Sequence, residues 1–193
     1  MKYDNDNIVL INEKINVPES VGLLFTDKDQ ISVSLVGSFI FWCMKRDIHR
    51  VTVYDPWNLI SNYEHELILE SQKILSYYNS SRNIKTSEYI KLYVLGPSSC
   101  SDVLSKVTKQ ICSEHENIGK NIINERLMKE FIYEVDLLVR VGDIPSLCGY
   151  PCWAVRLSEI VDVSKFKNKY CITEAEFDNL LTTFTSRDRR KGT

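Results

Sequence analysis

Arg140-Val141-Gly142-Asp143 follows directly on the apolar run Leu137-Leu138-Val139, in a strand that Asp136 opens. An arginine and a glycine at the carboxyl end of a buried strand can meet a phosphate, because open α/β sheets bind ligands beyond their strand ends. The same arginine equally suits a surface ion pair. A second cluster stands at the carboxyl end of the chain, where Arg187, Arg189, Arg190 and Lys191 accompany Asp188, Gly192 and Thr193. A guanidinium fork, an ammonium and an unhindered glycine N–H are suited to gripping a diphosphate. A solvated basic tail has the same composition, so the residues alone leave both readings open. Glu64-His65-Glu66 contains metal-ligand types, but adjacent residues on a helix point in different directions, and the triplet reads as a solvated face.

Other chemistry is scarce. There is no Walker loop, no GxGxxG after a strand and no GxSxG elbow in the sequence. The six cysteines, Cys43, Cys100, Cys112, Cys148, Cys152 and Cys171, include no CxxC pair, which argues against a zinc ribbon or a thioredoxin-type site. They read as reduced thiols, mostly small core residues, with Cys148 and Cys152 able to share a helical face.

The elements that must hold these groups alternate between strand and helix. Residues 21–25, 50–54, 89–95, 136–141 and 160–163 are β-branched or apolar runs of strand length. Between them, residues 31–45 predict a helix with Leu35, Phe39, Trp42 and Cys43 on its apolar face. Residues 59–78 predict a long amphipathic helix with Leu59, Tyr63, Leu67, Ile74 and Tyr78 inward. Residues 101–113 predict a helix capped by Ser101 or Asp102, and residues 125–133 one with Leu127, Met128 and Phe131 in the core. A short helix is expected over 153–159. A last helix follows Thr173, whose spacing to Glu176 makes a capping box. Such alternation implies an α/β fold with a mostly parallel sheet.

Length and composition fit one soluble domain: 193 residues, 44% hydrophobic and 26% charged. A net charge of −2 argues against a nucleic-acid partner, which calls for a basic footprint. The polar start Met1-Lys2-Tyr3-Asp4-Asn5-Asp6 lacks the basic and apolar regions of a secretory signal. The longest uncharged run, 30–44, is shorter than the ~20 apolar residues of a membrane span.

Residues 134–163 carry a resemblance. Asp136-Leu137-Leu138-Val139-Arg140-Val141-Gly142 resembles the strand-and-turn signature of cis-prenyltransferases. Gly149-Tyr150-Pro151-Cys152-Trp153-Ala154-Val155-Arg156-Leu157-Ser158-Glu159-Ile160 resembles the Gly-aromatic-x-x-Trp-x-x-Arg-Leu-Thr-Glu-Ile segment of the Nogo-B receptor family, the accessory subunits of eukaryotic dehydrodolichyl diphosphate synthase. Members of that family end in Arg-x-Gly one residue from the carboxyl terminus, and Arg190-Lys191-Gly192-Thr193 is similar in content and position. Phe41-Trp42-Cys43 and His49-Arg50-Val51-Thr52-Val53-Tyr54-Asp55 resemble the family's first helix and second strand. The resemblance runs from about residue 17 onward.

That resemblance implies a single-domain cis-prenyltransferase-like fold over 17–186, an amino-terminal extension over 1–16 and a tail over 187–193. It implies a non-catalytic subunit working with a catalytic cis-prenyltransferase on isopentenyl diphosphate and an allylic prenyl diphosphate, for dolichol synthesis and protein glycosylation. Arg190 and Gly192 would reach the partner's site, with Gly192 N–H on the diphosphate. Trp153, Arg156 and Glu159 would anchor the interface. Magnesium would be held mainly by the partner. Membrane association would be indirect, at the cytosolic face of the endoplasmic reticulum.

The departures matter equally. Catalytic members carry Asp-Gly-Asn-x-Arg-Trp-Ala after the first strand. Here the turn is Thr26-Asp27-Lys28-Asp29-Gln30, without glycine, arginine or tryptophan. Ser146 and Cys148 fall near the place where catalytic members hold isopentenyl diphosphate with a second arginine and a serine. Asp27 and Arg140 are therefore expected as relics of a metal and phosphate site. A catalytic subunit acting alone is the first rival reading, and a lipid- or protein-binding receptor module the second.

Overall fold

Six consecutive buried residues, Ser20–Phe25, form the central strand β1. Its neighbours are β2 (Arg50–Tyr54) and β4 (Leu137–Val141), and the edges are β3 (Lys91–Leu95) and β5 (Glu159–Val163). All four pairings are parallel, in the order β3-β2-β1-β4-β5. The registers Gly22↔Thr52 and Leu24↔Arg140 align the strand ends, so the turns after β1 and β4 meet at one edge of the sheet. The computed structural model describes residues 17–82, 90–114 and 119–186. The expected segments 1–16 and 187–193, with Arg190 and Gly192, lie outside the described residues.

Helices cover both faces. On one face lie α1 (Val33–Lys45), α2 (Glu64–Arg82) and α5 (Glu174–Ser186). Every residue of α1 from Leu35 to Met44 is buried, so this helix is enclosed all round rather than along one stripe. Trp42 Nε1 donates to Ile172 O at 2.6 Å, and the Ile172 N–H donates to Ser38 Oγ at 2.9 Å, tying α1 to the segment before α5. Lys45 and Arg46 at the end of α1 pair with Glu174 and Asp178 at the start of α5. The Thr173–Glu176 capping box forms: Glu176 N–H donates to Thr173 Oγ1 at 3.3 Å, and Thr173 N–H to Glu176 Oε2 at 3.0 Å.

On the other face lie α3 (Ser101–Ser113) and α4 (Lys120–Lys129), over Leu24, Tyr54, Leu138 and Tyr150. α1 and α4 end alike. Ile48 N–H donates to Cys43 O and Ile132 N–H to Leu127 O, with Asp47 and Phe131 in the left-handed region between. Both are Schellman turns.

Several expectations need correction. Leu59 and Tyr63 are exposed and precede α2. The buried carboxylate of Asp55 accepts the N–H groups of Trp57, Leu59 and Ile60, which winds 55–60 into a loop and delays the helix to Glu64. α4 starts at Lys120 and stops at Lys129, leaving Met128 and Phe131 exposed. Cys100 takes the cap position of α3 in place of Ser101 or Asp102. Of the six cysteines only Cys43 is fully buried; Cys112, Cys152 and Cys171 are exposed. Residues 152–157 are a string of turns, not a helix. The carbonyls of Pro151 and Val155 accept three residues on, and the carbonyl of Ala154 accepts from Val135 N–H just before β4, so local turns and one outside bond replace the helical ladder.

Candidate functional site

The turns after β1 and β4 form the carboxyl edge, where a doubly wound sheet offers its ligand crevice. Here that edge is filled. Thr26 donates both its N–H (2.8 Å) and its hydroxyl (3.2 Å) to Val141 O. Gly142, at φ +120°, lies so close that a Cβ on it would stand 2.4 Å from Thr26 Oγ1 and 2.9 Å from the backbone nitrogen of Asp27. Asp27 turns its carboxylate onto its own loop and accepts Asp29 N–H at 2.9 Å. Arg140 turns away along the sheet to Asp162 of β5, Nε to Oδ1 2.5 Å, and its side chain is mostly buried. Thus Asp27 and Arg140 sit at the same edge, each committed to a neighbour. Among the described residues no group of three His, Cys, Asp or Glu side chains is placed to hold a metal ion. Glu64, His65 and Glu66 form no such group, and the edge does not fit a magnesium site.

From Gly142 the chain returns over the sheet. Gly149, at φ +90°, packs on the Tyr54 hydroxyl, which donates to Cys148 O at 2.9 Å. Burial pushes the Tyr54 phenol up, helped by Cys100, Cys148 and Asp55. Tyr150 is fully buried over Gly22, where a Cβ would stand 2.8 Å from its hydroxyl. Burial raises the Tyr150 phenol far above its usual range. Thr52 lies near enough to oppose this slightly, but the two hydroxyls do not meet in hydrogen-bonding geometry, and each is without a protein partner. The ring fills the space over β1 and β2.

Trp153, Arg156 and Glu159 come out at the opposite, amino edge of the sheet. Trp153 is half-buried, and its Nε1 donates to Asn124 Oδ1 at 2.5 Å. The Arg156 guanidinium lies 5.2 Å over the Trp153 ring and pairs with Glu134. Glu159 opens β5, its N–H donating to Asp136 O at 2.9 Å. Trp153 and Arg156 are thus one unit; Glu159 joins through the backbone. Asn124 and Glu134, which hold that unit, carry no sequence signal, lying 29 and 22 residues away from their partners. Asp136 was legible only as part of the motif. Its carboxylate accepts the N–H groups of Glu19 and Ser20, fastening the start of β1 to the start of β4.

The fold has counterparts among solved structures. The chain superimposes on a probable undecaprenyl diphosphate synthase from Campylobacter jejuni with a TM-score of 0.61 at 15% identity, covering 90% of this chain and 98% of that one. It superimposes on lavandulyl diphosphate synthase from Lavandula x intermedia with a TM-score of 0.65 at 13% identity, covering 92% and 98%. The fold is that of these diphosphate synthases. In sequence, the chain is 23% identical over 199 aligned positions to the dehydrodolichyl diphosphate synthase complex subunit Nus1 of Mus musculus, and equally to its Homo sapiens counterpart. The resemblance to the Nogo-B receptor family is thereby shown. The match takes in 91% of this chain, which spans 66% and 67% of the lengths of the two Nus1 relatives. No protein-family profile matches the chain.

Proposed function

We propose that this chain is the non-catalytic subunit of a heteromeric cis-prenyltransferase that condenses isopentenyl diphosphate onto an allylic diphosphate. The observation that carries the reading is the filled carboxyl edge. Thr26, Asp27 and Gly142 occupy the crevice, and Arg140 is drawn off to Asp162. A chain with this fold whose strand-end turns are packed on each other in this way is suited to act through another subunit.

In this reading the catalytic partner binds magnesium and both diphosphates. Magnesium supplies neutralisation of charge on the departing diphosphate. This chain contributes Arg190 and the Gly192 N–H in trans, donors aimed at developing negative charge. Trp153 and Arg156, already locked together, present an aromatic–guanidinium surface of the kind that dominates interfaces. The complex works on dolichol precursors at the cytosolic face of the endoplasmic reticulum. Among the described residues no helix is long and apolar enough to cross a membrane, which agrees with attachment through the partner or the lipid product.

The test is incorporation of labelled isopentenyl diphosphate by this chain, by the catalytic subunit and by the two together. An inert chain and an active pair support the reading. Turnover by the lone chain revives the single-subunit enzyme. Lipid binding without any complex supports the receptor module.

A further inference from the structure

The loop after β2 holds large apolar side chains out to solvent. Among the described residues, five of the ten large hydrophobic side chains that stand exposed fall in the stretch Trp57 to Tyr77. Trp57 and Leu59 lie in the loop, and Tyr63 stands just before α2. Leu69 is on the solvent face of that helix, between the exposed Glu66 and Lys73. A single exposed leucine is ordinary; large apolar groups concentrated in one segment mark an interaction surface.

The loop is built to keep them there. Asp55 is 1% exposed, and its carboxylate accepts the N–H groups of Trp57 and Ile60 at 2.8 Å and that of Leu59. Its own N–H donates to Leu95 O at 3.0 Å. Asn58 stands at φ +55°, packed so close on Gly96 that a Cβ there would lie 2.0 Å from Asn58 Oδ1. Ile60 turns into the core, and the same clamp leaves Trp57 and Leu59 outside. A backbone fixed before association loses little entropy on binding.

Charge selects the occupant. No lysine or arginine occurs from Val51 to Gln72. Glu64 and Glu66 stand exposed and form no ion pair among the described residues. Glu70 is taken by Lys73 at 3.8 Å. A surface of that sign repels lipid phosphates and nucleic acid, and it suits cations set around apolar groups. A helix laid against α2 offers apolar residues at every third or fourth position, the spacing that such a face accepts.

We propose that Trp57, Leu59, Tyr63 and Leu69, with Glu64 and Glu66, form a docking surface for a basic amphipathic helix of a protein partner. The loop leaves the carboxyl end of β2, whereas the Trp153–Arg156 unit lies at the amino edge of the sheet. The surface is therefore separate from the interface assigned above, and it does not depend on the prenyltransferase reading.

Titration calorimetry of the full chain with a synthetic helical peptide of leucine and lysine, its leucines on one face, tests it. The chain is expected to bind this peptide. Leu69→Ser and Trp57→Ser should each weaken binding about tenfold or more, the scale of losing an interface anchor, with the urea unfolding midpoint unchanged. Glu64→Lys with Glu66→Lys should weaken it about tenfold and remove its salt dependence. The same peptide with glutamate in place of lysine should not bind. Absence of binding, or binding that ignores Leu69→Ser and Trp57→Ser, overturns the proposal. So does association with phosphatidylserine vesicles, or self-association of the chain, that those two variants abolish, since either gives the surface a different occupant.

Discussion

Replacing Gly142 by alanine should cost this fold about 3 kcal/mol. Two terms combine. An L side chain at φ +120° stores about 1–3 kcal/mol of backbone strain. The new Cβ, built 2.4 Å from Thr26 Oγ1 and 2.9 Å from the Asp27 nitrogen, adds about 1–3 kcal/mol of overpacking. The nitrogen is backbone and cannot swing aside. Thr26→Ala removes the nearer clash but gives up the buried hydroxyl bond to Val141 O, about 1 kcal/mol. The double variant should therefore be less destabilised than the sum of the singles by about 1 kcal/mol. Urea unfolding reads this as a lower midpoint at unchanged slope; with a slope of about 2 kcal/mol/M, Gly142→Ala shifts the midpoint by about 1.5 M. A loss below about 0.5 kcal/mol, the ordinary surface-substitution range, would refute the reasoning. It would mean that the two turns are not locked and that the carboxyl edge can open for a ligand.

Asp47→Gly should raise stability by about 0.5–1 kcal/mol, because glycine takes φ +62° at the end of α1 without penalty; the melting temperature reads it. Trp42→Phe should cost about 1–3 kcal/mol by leaving Ile172 O without its buried donor, measured by the same unfolding curves. The α1–α5 clasp should weaken in acid. Lys45, then Arg46, hold Glu174 below its usual value; for Glu176 burial works against the charge, but the Thr173 hydroxyl and the N–H groups of Lys167 and Thr173 outweigh it. Folded values below the ordinary 4.5 mean that this stability is present above about pH 4.5 and is lost as pH falls through the folded values. Glu174→Gln with Glu176→Gln should flatten that part of the stability–pH curve, and an unchanged curve would contradict it. Arg156→Ala should change stability by less than about 1 kcal/mol, as for a partly exposed pair, yet weaken co-purification with the catalytic subunit; intact co-purification would remove Arg156 from the interface.

Strands were legible because β-branched runs buried on both faces have no competing reading: residues 50–54 predict β2 to the residue. The Thr173–Glu176 box was legible because its signal is local. What escaped was set by distant partners. Residues 152–157 have helical composition, but Val135 N–H and Ser158 Oγ both take the Ala154 carbonyl that a helix would use. Met128 and Phe131 have the spacing of core residues, yet a Schellman turn ends α4 between them. At the site, Arg140 was legible as a strand-end cation with two possible fates, and its choice of Asp162 depends on the β4–β5 register. The close approach of Gly142 to Thr26 and Asp27 could not be read from the strand-and-turn motif, because it depends on how the turn after β1 lies against it.

The central claim is that this chain acts through its tail in another subunit's site. The direct measurement is turnover of labelled isopentenyl diphosphate by the purified pair, comparing the natural chain with Arg190→Ala and with a chain lacking Gly192 and Thr193. The account predicts a loss of about 100-fold or more, the scale of removing a transition-state donor, with the two subunits still co-purifying. Full turnover without those residues would contradict it and leave the chain a scaffold.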